Sequence, residues 1–128
     1  MIGVLLVDDH ARFRDAARDL VEATPGFESL GEAGSGEEAL RMIEELDPAL
    51  VLLDVGLPGM NGIETARSIT SVHPHPIVFL VSIDDLADQP ANIASCGAAT
   101  FVRKRDLGCA ALKELWAEHG GRGNSAAP

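Results

Sequence analysis

Leu50-Val51-Leu52-Leu53 runs straight into Asp54, and Val55-Gly56-Leu57-Pro58-Gly59-Met60-Asn61-Gly62 follows at once. A run that is apolar at every position has no polar face to turn to water, so it reads as a strand buried on both sides. Pro58, Gly59, Asn61 and Gly62 end it. Asp54 therefore stands where a buried strand emerges. In an open parallel sheet that carboxyl edge is where ligands bind.

The pattern recurs along the chain. Val4 to Val7 is a second buried strand, ending at Asp8-Asp9. A helix over 12–23 follows, with Phe13, Ala16, Ala17, Leu20 and Val21 at helical spacing and Thr24-Pro25-Gly26 as its stop. Phe27 to Ala33 is a mixed run suited to a sheet edge. Ser35 with Glu38 forms a capping box for the next helix, whose apolar face is Ala39, Leu40, Ile43 and Leu46. Beyond Asp54, residues 62–72 read as a helix, and Ile77 to Val81 as an all-apolar strand ending at Ser82. Residues 84–96 are helical by position, but Pro90 cannot sit in a helix interior, so a frayed or late-starting helix is expected there. Thr100 to Arg103 is a short strand ending at Lys104, and 107–119 is a last helix anchored by Leu112, Leu115 and Trp116. Five strands alternating with five helices argue for an α/β fold, a parallel sheet with helices on both faces and right-handed crossovers. The domain is expected over 1–119, with 120–128 as a flexible tail or linker.

Composition narrows the function. Ten basic against twenty acidic residues leave a net charge of −10, which argues against direct nucleic-acid binding by this chain. No apolar stretch approaches the ~20 residues that span a membrane. Cys96 and Cys109 have neither metal-ligand nor disulfide spacing, and reduced thiols in a cytoplasmic protein are the simple reading.

Asp8-Asp9, Asp54, Ser82 and Lys104 all end strands, so a parallel sheet gathers them on one edge. Three carboxylates brought together repel one another, and a hard divalent cation such as Mg²⁺ relieves this with oxygen ligands. Lys104 adds a point charge suited to phosphate, and Ser82 a hydroxyl. A carboxylate can itself be a nucleophile and form an aspartyl-phosphate. Together these groups make a site for phosphoryl transfer.

Val7-Asp8-Asp9-His10, Leu53-Asp54-Val55-Gly56-Leu57-Pro58-Gly59-Met60-Asn61-Gly62 and Gly97-Ala98-Ala99-Thr100-Phe101-Val102-Arg103-Lys104 stand at matching intervals to a known pattern. Over about residues 3–119 the chain resembles the receiver domain of two-component response regulators. The resemblance implies a flavodoxin-like (βα)5 fold, doubly wound, with sheet order 2-1-3-4-5. It implies that Asp54 is the phosphoacceptor, that Asp8, Asp9, Asp54 and the Gly56 carbonyl hold Mg²⁺, and that Ser82 and Lys104 hold the phosphoryl group. It implies Ser82 and Phe101 as switch residues that reshape the face made by the fourth helix, fifth strand and fifth helix. The implied partner is a sensor histidine kinase, with a second copy of the chain left open.

Some positions depart from the pattern. Ile83 stands where a small residue is usual, and it is expected to modulate the site by restricting water and slowing phosphoryl loss. Arg105 replaces a common proline. With the Asp-Asp-His opening, this resembles receivers that feed helix-turn-helix transcription effectors, so transcription regulation through an effector outside this chain is the expected output. The domain would be a switch rather than an enzyme, catalysing only its own phosphorylation and dephosphorylation. A haloacid-dehalogenase-type phosphatase needs a second Asp where Gly56 stands. A nucleotide binder needs a phosphate-cradling loop where Asp8-Asp9-His10 stands. A pseudo-receiver acting without phosphorylation is the alternative.

Overall fold

The computed structural model describes residues 1–120. Five parallel strands form one sheet: β1 (Ile2–Val7), β2 (Phe27–Ala33), β3 (Leu50–Asp54), β4 (Ile77–Ser82) and β5 (Thr100–Arg103). Their order is β2-β1-β3-β4-β5, as expected, which puts β3 at the centre and β2 at an edge. The helices are α1 (Ala11–Ala23), α2 (Gly36–Leu46), α3 (Gly62–Val72) and α4 (Cys109–Leu115).

Alternation along the strands sorts the core into two layers. Leu5, Val7, Val51, Leu53, Val78 and Leu80 meet Ala39 and Ile43 of α2 and Ile63, Ala66 and Ile69 of α3. Val4, Leu6, Leu50, Leu52, Phe79 and Val81 face the other way, onto Ala17 and Val21 of α1 and Leu112 of α4. Every residue of β3 is buried, which is why its sequence shows no polar alternation. Trp116 packs edge-on to Phe27 with ring centroids 6.2 Å apart, anchoring the last helical segment as expected.

Ser35 caps α2 by accepting from the Glu38 N–H at 3.1 Å, and Glu38 reaches back to the Gly34 N–H at 2.7 Å. The capping box is thus formed, displaced by one residue on the return bond. Asn61 caps α3 by accepting from the Glu64 N–H at 2.9 Å.

Two helix expectations are corrected. Residues 84–96 form no α-helix but two 3₁₀ turns, Leu86–Asp88 and Ala91–Ser95. Pro90 supplies no N–H and pushes the preceding residue out of the helical region, and Gln89 is accordingly extended at φ −90°, ψ 158°. Among the described residues four α-helices are therefore found rather than five. The last helix starts at Cys109, after a 3₁₀ turn at Lys104–Asp106, and widens into a π turn over Trp116–Gly120. Gly120, expected to open the tail, closes that turn and is buried, while 121–128 lie outside the described residues.

Candidate functional site

Register builds the site. Val7 pairs with Leu53, so Asp8 emerges beside Asp54. Asp54 pairs with Val81, and Ser82 with Arg103, so Ser82 and Lys104 emerge on the same edge. Asp8 is 2% exposed and Asp54 6%, an unusual burial for carboxylates, and Ser82 is 5% exposed. The loop after Asp54 is held down by two backbone bonds: Val55 N–H to the Val81 carbonyl and Gly62 N–H to the Val55 carbonyl, each 3.0 Å.

Asp8, Asp9, His10 and Asp54 each place a ligand atom within 4.8 Å of the others. Asp8 Oδ1 accepts from the His10 backbone N–H at 2.8 Å, and His10 Nδ1 lies 3.1 Å from it and 3.3 Å from Asp9 Oδ1. His10 thus lies against both acidic side chains. Asp8 Oδ2 faces the Lys104 ammonium at 2.6 Å, yet makes no aligned hydrogen bond. The contact is a charge pair whose direction leaves the oxygen's lone pairs unfilled. Lys104 Nζ is 3.8 Å from Asp54 Oδ1, and the Gly56 N–H donates to that same oxygen at 3.3 Å.

Burial holds the Asp54 carboxyl above its ordinary range, and the charge of Asp8 adds to this, with a smaller push from Asp9. Lys104 and the Gly56 N–H pull the other way without reversing it. The donor set has three hard carboxylate groups beside the His10 imidazole, it is crowded with negative charge, and it includes a buried oxygen with no aligned donor. These features fit a hard divalent cation.

A cavity of about 220 Å³ opens over Asp54, lined by Gly56, Ser82, Ile83, Gln89 and Lys104 among others. The structure therefore brings Asp8, Asp9, Asp54, Gly56, Ser82 and Lys104 together, and sets Ile83, 77% exposed, at the mouth. Phe101 lies apart. It is half-buried and lines another cavity, of about 340 Å³, with Leu80, Leu86 and Ile93.

Two residues at the site were not marked by sequence pattern. Gln89 Nε2 donates to Ser82 Oγ at 3.3 Å, and the Asp84 N–H donates to the same oxygen at 3.1 Å. Gln89 is half-buried while residues 83–88 are exposed. Arg14 of α1 donates to the Asp8 carbonyl and pairs through Nε with Glu32 at 3.3 Å, pinning the end of β1.

The sequence profile of the response regulator receiver domain matches residues 4–113. The chain belongs to the response regulator receiver domain family. Among relatives, it is 36% identical over 104 residues to the response regulator GacA of Pseudomonas viridiflava, covering 81% of this chain and 49% of that protein. It is 41% identical over 81 residues to the nitrate/nitrite response regulator protein NarL of Escherichia coli K12, covering 62% of this chain and 38% of that one. The receiver thus spans about half the length of the GacA relative. Among solved structures, a LuxR-family two-component response regulator from Aurantimonas aligns at TM-score 0.81 and 28% identity, over 92% of this chain and 86% of that one. A CheY-like receiver domain protein from Methanospirillum hungatei aligns at TM-score 0.83 over 99% of each chain, and at 21% identity it shares the fold. As a receiver the chain is a phosphoaccepting signalling domain. Receivers bind Mg²⁺ at their acidic pocket and are phosphorylated by sensor kinases. Among the described residues no helix is long and apolar enough to cross a membrane.

Proposed function

We propose that Asp54 accepts a phosphoryl group from the phosphohistidine of a sensor histidine kinase. The observation that carries this is the convergence of Asp8, Asp9 and Lys104 on Asp54. A carboxylate oxygen of Asp54 attacks phosphorus, the phosphorus–nitrogen bond breaks, and the kinase imidazole leaves with the bonding pair. Asp8, Asp9, Asp54 and the Gly56 carbonyl are the groups that would hold Mg²⁺, which when bound offsets the negative charge gathered between the carboxylates and the phosphoryl oxygens. Lys104 moves from Asp8 to a phosphoryl oxygen, and the Ser82 hydroxyl donates to another, its own oxygen still accepting from Gln89 and Asp84. Phe101 borders an apolar cavity into which its ring can turn, so the pull on Ser82 can pass to β5 and the neighbouring 3₁₀ turns.

The domain reading is 1–119 for the receiver and 120–128 for a linker, with Gly120, the last residue of the π turn, at the junction. The output reading is transcription control through an effector outside this sequence, with cytoplasmic location and no direct nucleic-acid contact by this chain. It is supported by the net charge of −10 and by relatives described as transcriptional regulatory protein and as DNA-binding response regulator. The chain is read as a switch rather than an enzyme in its own right.

Incubation with acetyl phosphate and Mg²⁺, followed by intact mass and peptide mapping, is the test. One phosphoryl group on Asp54, absent from Asp54→Asn, is expected. No added group, under conditions where another receiver labels, would favour a pseudo-receiver that signals by contact alone.

A further inference from the structure

The Lys104 ammonium has three neighbours, and only two are carboxylates. It lies 2.6 Å from Asp8 Oδ2, 3.8 Å from Asp54 Oδ1, and 4.2 Å from the centroid of the Phe13 ring. Its side chain is 13% exposed, so little water is left to solvate it. Phe13 comes from the first turn of α1, an element that supplies no group to the lining of the cavity over Asp54. Lys104 also lines a second cavity, of about 230 Å³, walled by Phe13, Ala16, Ala17, Leu20 and Leu107. The lysine is thus held between the phosphoryl site and the α1 surface, with the ring of Phe13 on the α1 side.

We propose that Phe13 is a positioning residue, whose ring face holds the Lys104 ammonium within reach of a phosphoryl group on Asp54. The inference rests on the reading of Lys104 as a phosphoryl-binding group. An aromatic face attracts a cation without carrying a net charge. A third carboxylate in this place would hold the lysine in competition with the phosphoryl oxygens, and an aliphatic side chain would not attract it at all. The ring does a third thing: it keeps the ammonium desolvated yet lets it slide from Asp8 toward Asp54. Without it, water enters from the α1 cavity, and the ammonium is either solvated or drawn wholly onto Asp8. Burial alone does not explain the arrangement, because Phe13 is only half-buried.

Two measurements test this. In metal-free protein with labelled lysine, the Lys104 Hε resonances should be shifted upfield by the Phe13 ring and return to ordinary values in Phe13→Leu. In the second, initial rates of labelling by acetyl phosphate and Mg²⁺ are compared across Phe13 replaced by mono-, di- and trifluorophenylalanine, which keep the ring and drain its face of electrons. The rate should fall stepwise, with the trifluoro ring and Phe13→Leu slower on the order of tenfold, and Phe13→Trp should hold the wild-type rate. Thermal melts confirm that each variant is folded. A wild type that takes up no phosphoryl group overturns the functional reading. A wild type that labels, with the fluorinated series at the same rate or with no upfield Lys104 shift, overturns the role of Phe13 alone.

Discussion

Lys104 Nζ lies 2.6 Å from Asp8 Oδ2 and 3.8 Å from Asp54 Oδ1, so the ammonium rests nearer the proposed metal ligand than the phosphoacceptor. A divalent cation settling on Asp8 has to share or displace that lysine. Lys104→Met, which keeps the length of the stem, should therefore bind Mg²⁺ tighter, by about three- to tenfold at low salt. The same variant should be less stable without metal by about 1–3 kcal/mol, because the buried Asp8 carboxylate loses its charge partner. Calorimetric titration with Mg²⁺ and metal-free melts read the two effects separately. Unchanged or weaker Mg²⁺ affinity would show that the lysine and the cation do not compete.

The Asp54 carboxyl is held above its usual range, chiefly by burial and then by the charge of Asp8. The folded protein therefore binds this proton more tightly than the unfolded chain does. The stability linked to it is whole below the ordinary carboxylate pKa, about 4, and is lost as pH rises toward the raised value. At neutral pH the ionised group is a net cost to the metal-free fold. Asp54→Asn should then melt higher at pH 7, by about 3 °C for a gain of about 1 kcal/mol, and the difference should close as pH falls to about 4. Metal-free melting curves from pH 4 to 8 measure it. A lower melting temperature for Asp54→Asn at pH 7 would contradict the account.

The ends of β1, β3 and β4 are legible in the sequence because burial on both faces removes every polar residue up to the point where the chain leaves the sheet. Leu50–Asp54 is five buried residues, and its one carboxylate is the one at the exit. Topology then does the rest, since parallel order places Asp8, Asp54, Ser82 and Lys104 on one edge. Residues 84–96 are less legible. Pro90 marks a break, but whether the flanks become one helix or two 3₁₀ turns depends on weak local terms and few buried contacts. Phe13 and Gln89 illustrate a different limit. Phe13 sits at ordinary helical spacing and Gln89 in a polar stretch, and what each does is decided by a neighbour from another element, Lys104 and Ser82. No periodicity encodes that.

Ile83 is 77% exposed yet lines the mouth of the cavity over Asp54, beside Ser82 and Gln89. An apolar side chain there covers the approach that water would take to a phosphoryl group on Asp54. It has little else to stabilise, since exposed residues away from caps and pairs usually change stability by less than about 0.5 kcal/mol. Ile83→Ala should therefore leave the melting temperature almost unchanged and speed phosphoryl loss, by about two- to fivefold. Decay of the phosphorylated species by intact mass, after removal of the phosphodonor, measures this. Equal decay in both proteins would take Ile83 out of the site.

Gly62 begins α3 where the backbone passes directly over the end of β3. A Cβ at this position would meet the Asp54 carbonyl oxygen at 2.2 Å and the Val55 Cα at 2.6 Å, both main-chain atoms that cannot rotate aside. The Gly62 N–H also donates to the Val55 carbonyl at 3.0 Å, so the two segments cannot part without losing a bond that shapes the phosphoacceptor loop. Gly62→Ala improves helix propensity by up to about 1 kcal/mol, and that gain is smaller than the clash it creates. The expected result is a net loss of about 2–3 kcal/mol in denaturant unfolding. Labelling of Asp54 by acetyl phosphate should also slow in protein that is still folded, because the main chain carrying Asp54 has to shift. The neighbouring Gly56 supplies the control. A Cβ there comes no closer than 3.9 Å to the Asp54 carboxylate, so Gly56→Ala should keep nearly full stability. Equal stability of Gly62→Ala and wild type would show that α3 can slide away from Asp54, and that the packing of this glycine does not set the position of the phosphoacceptor.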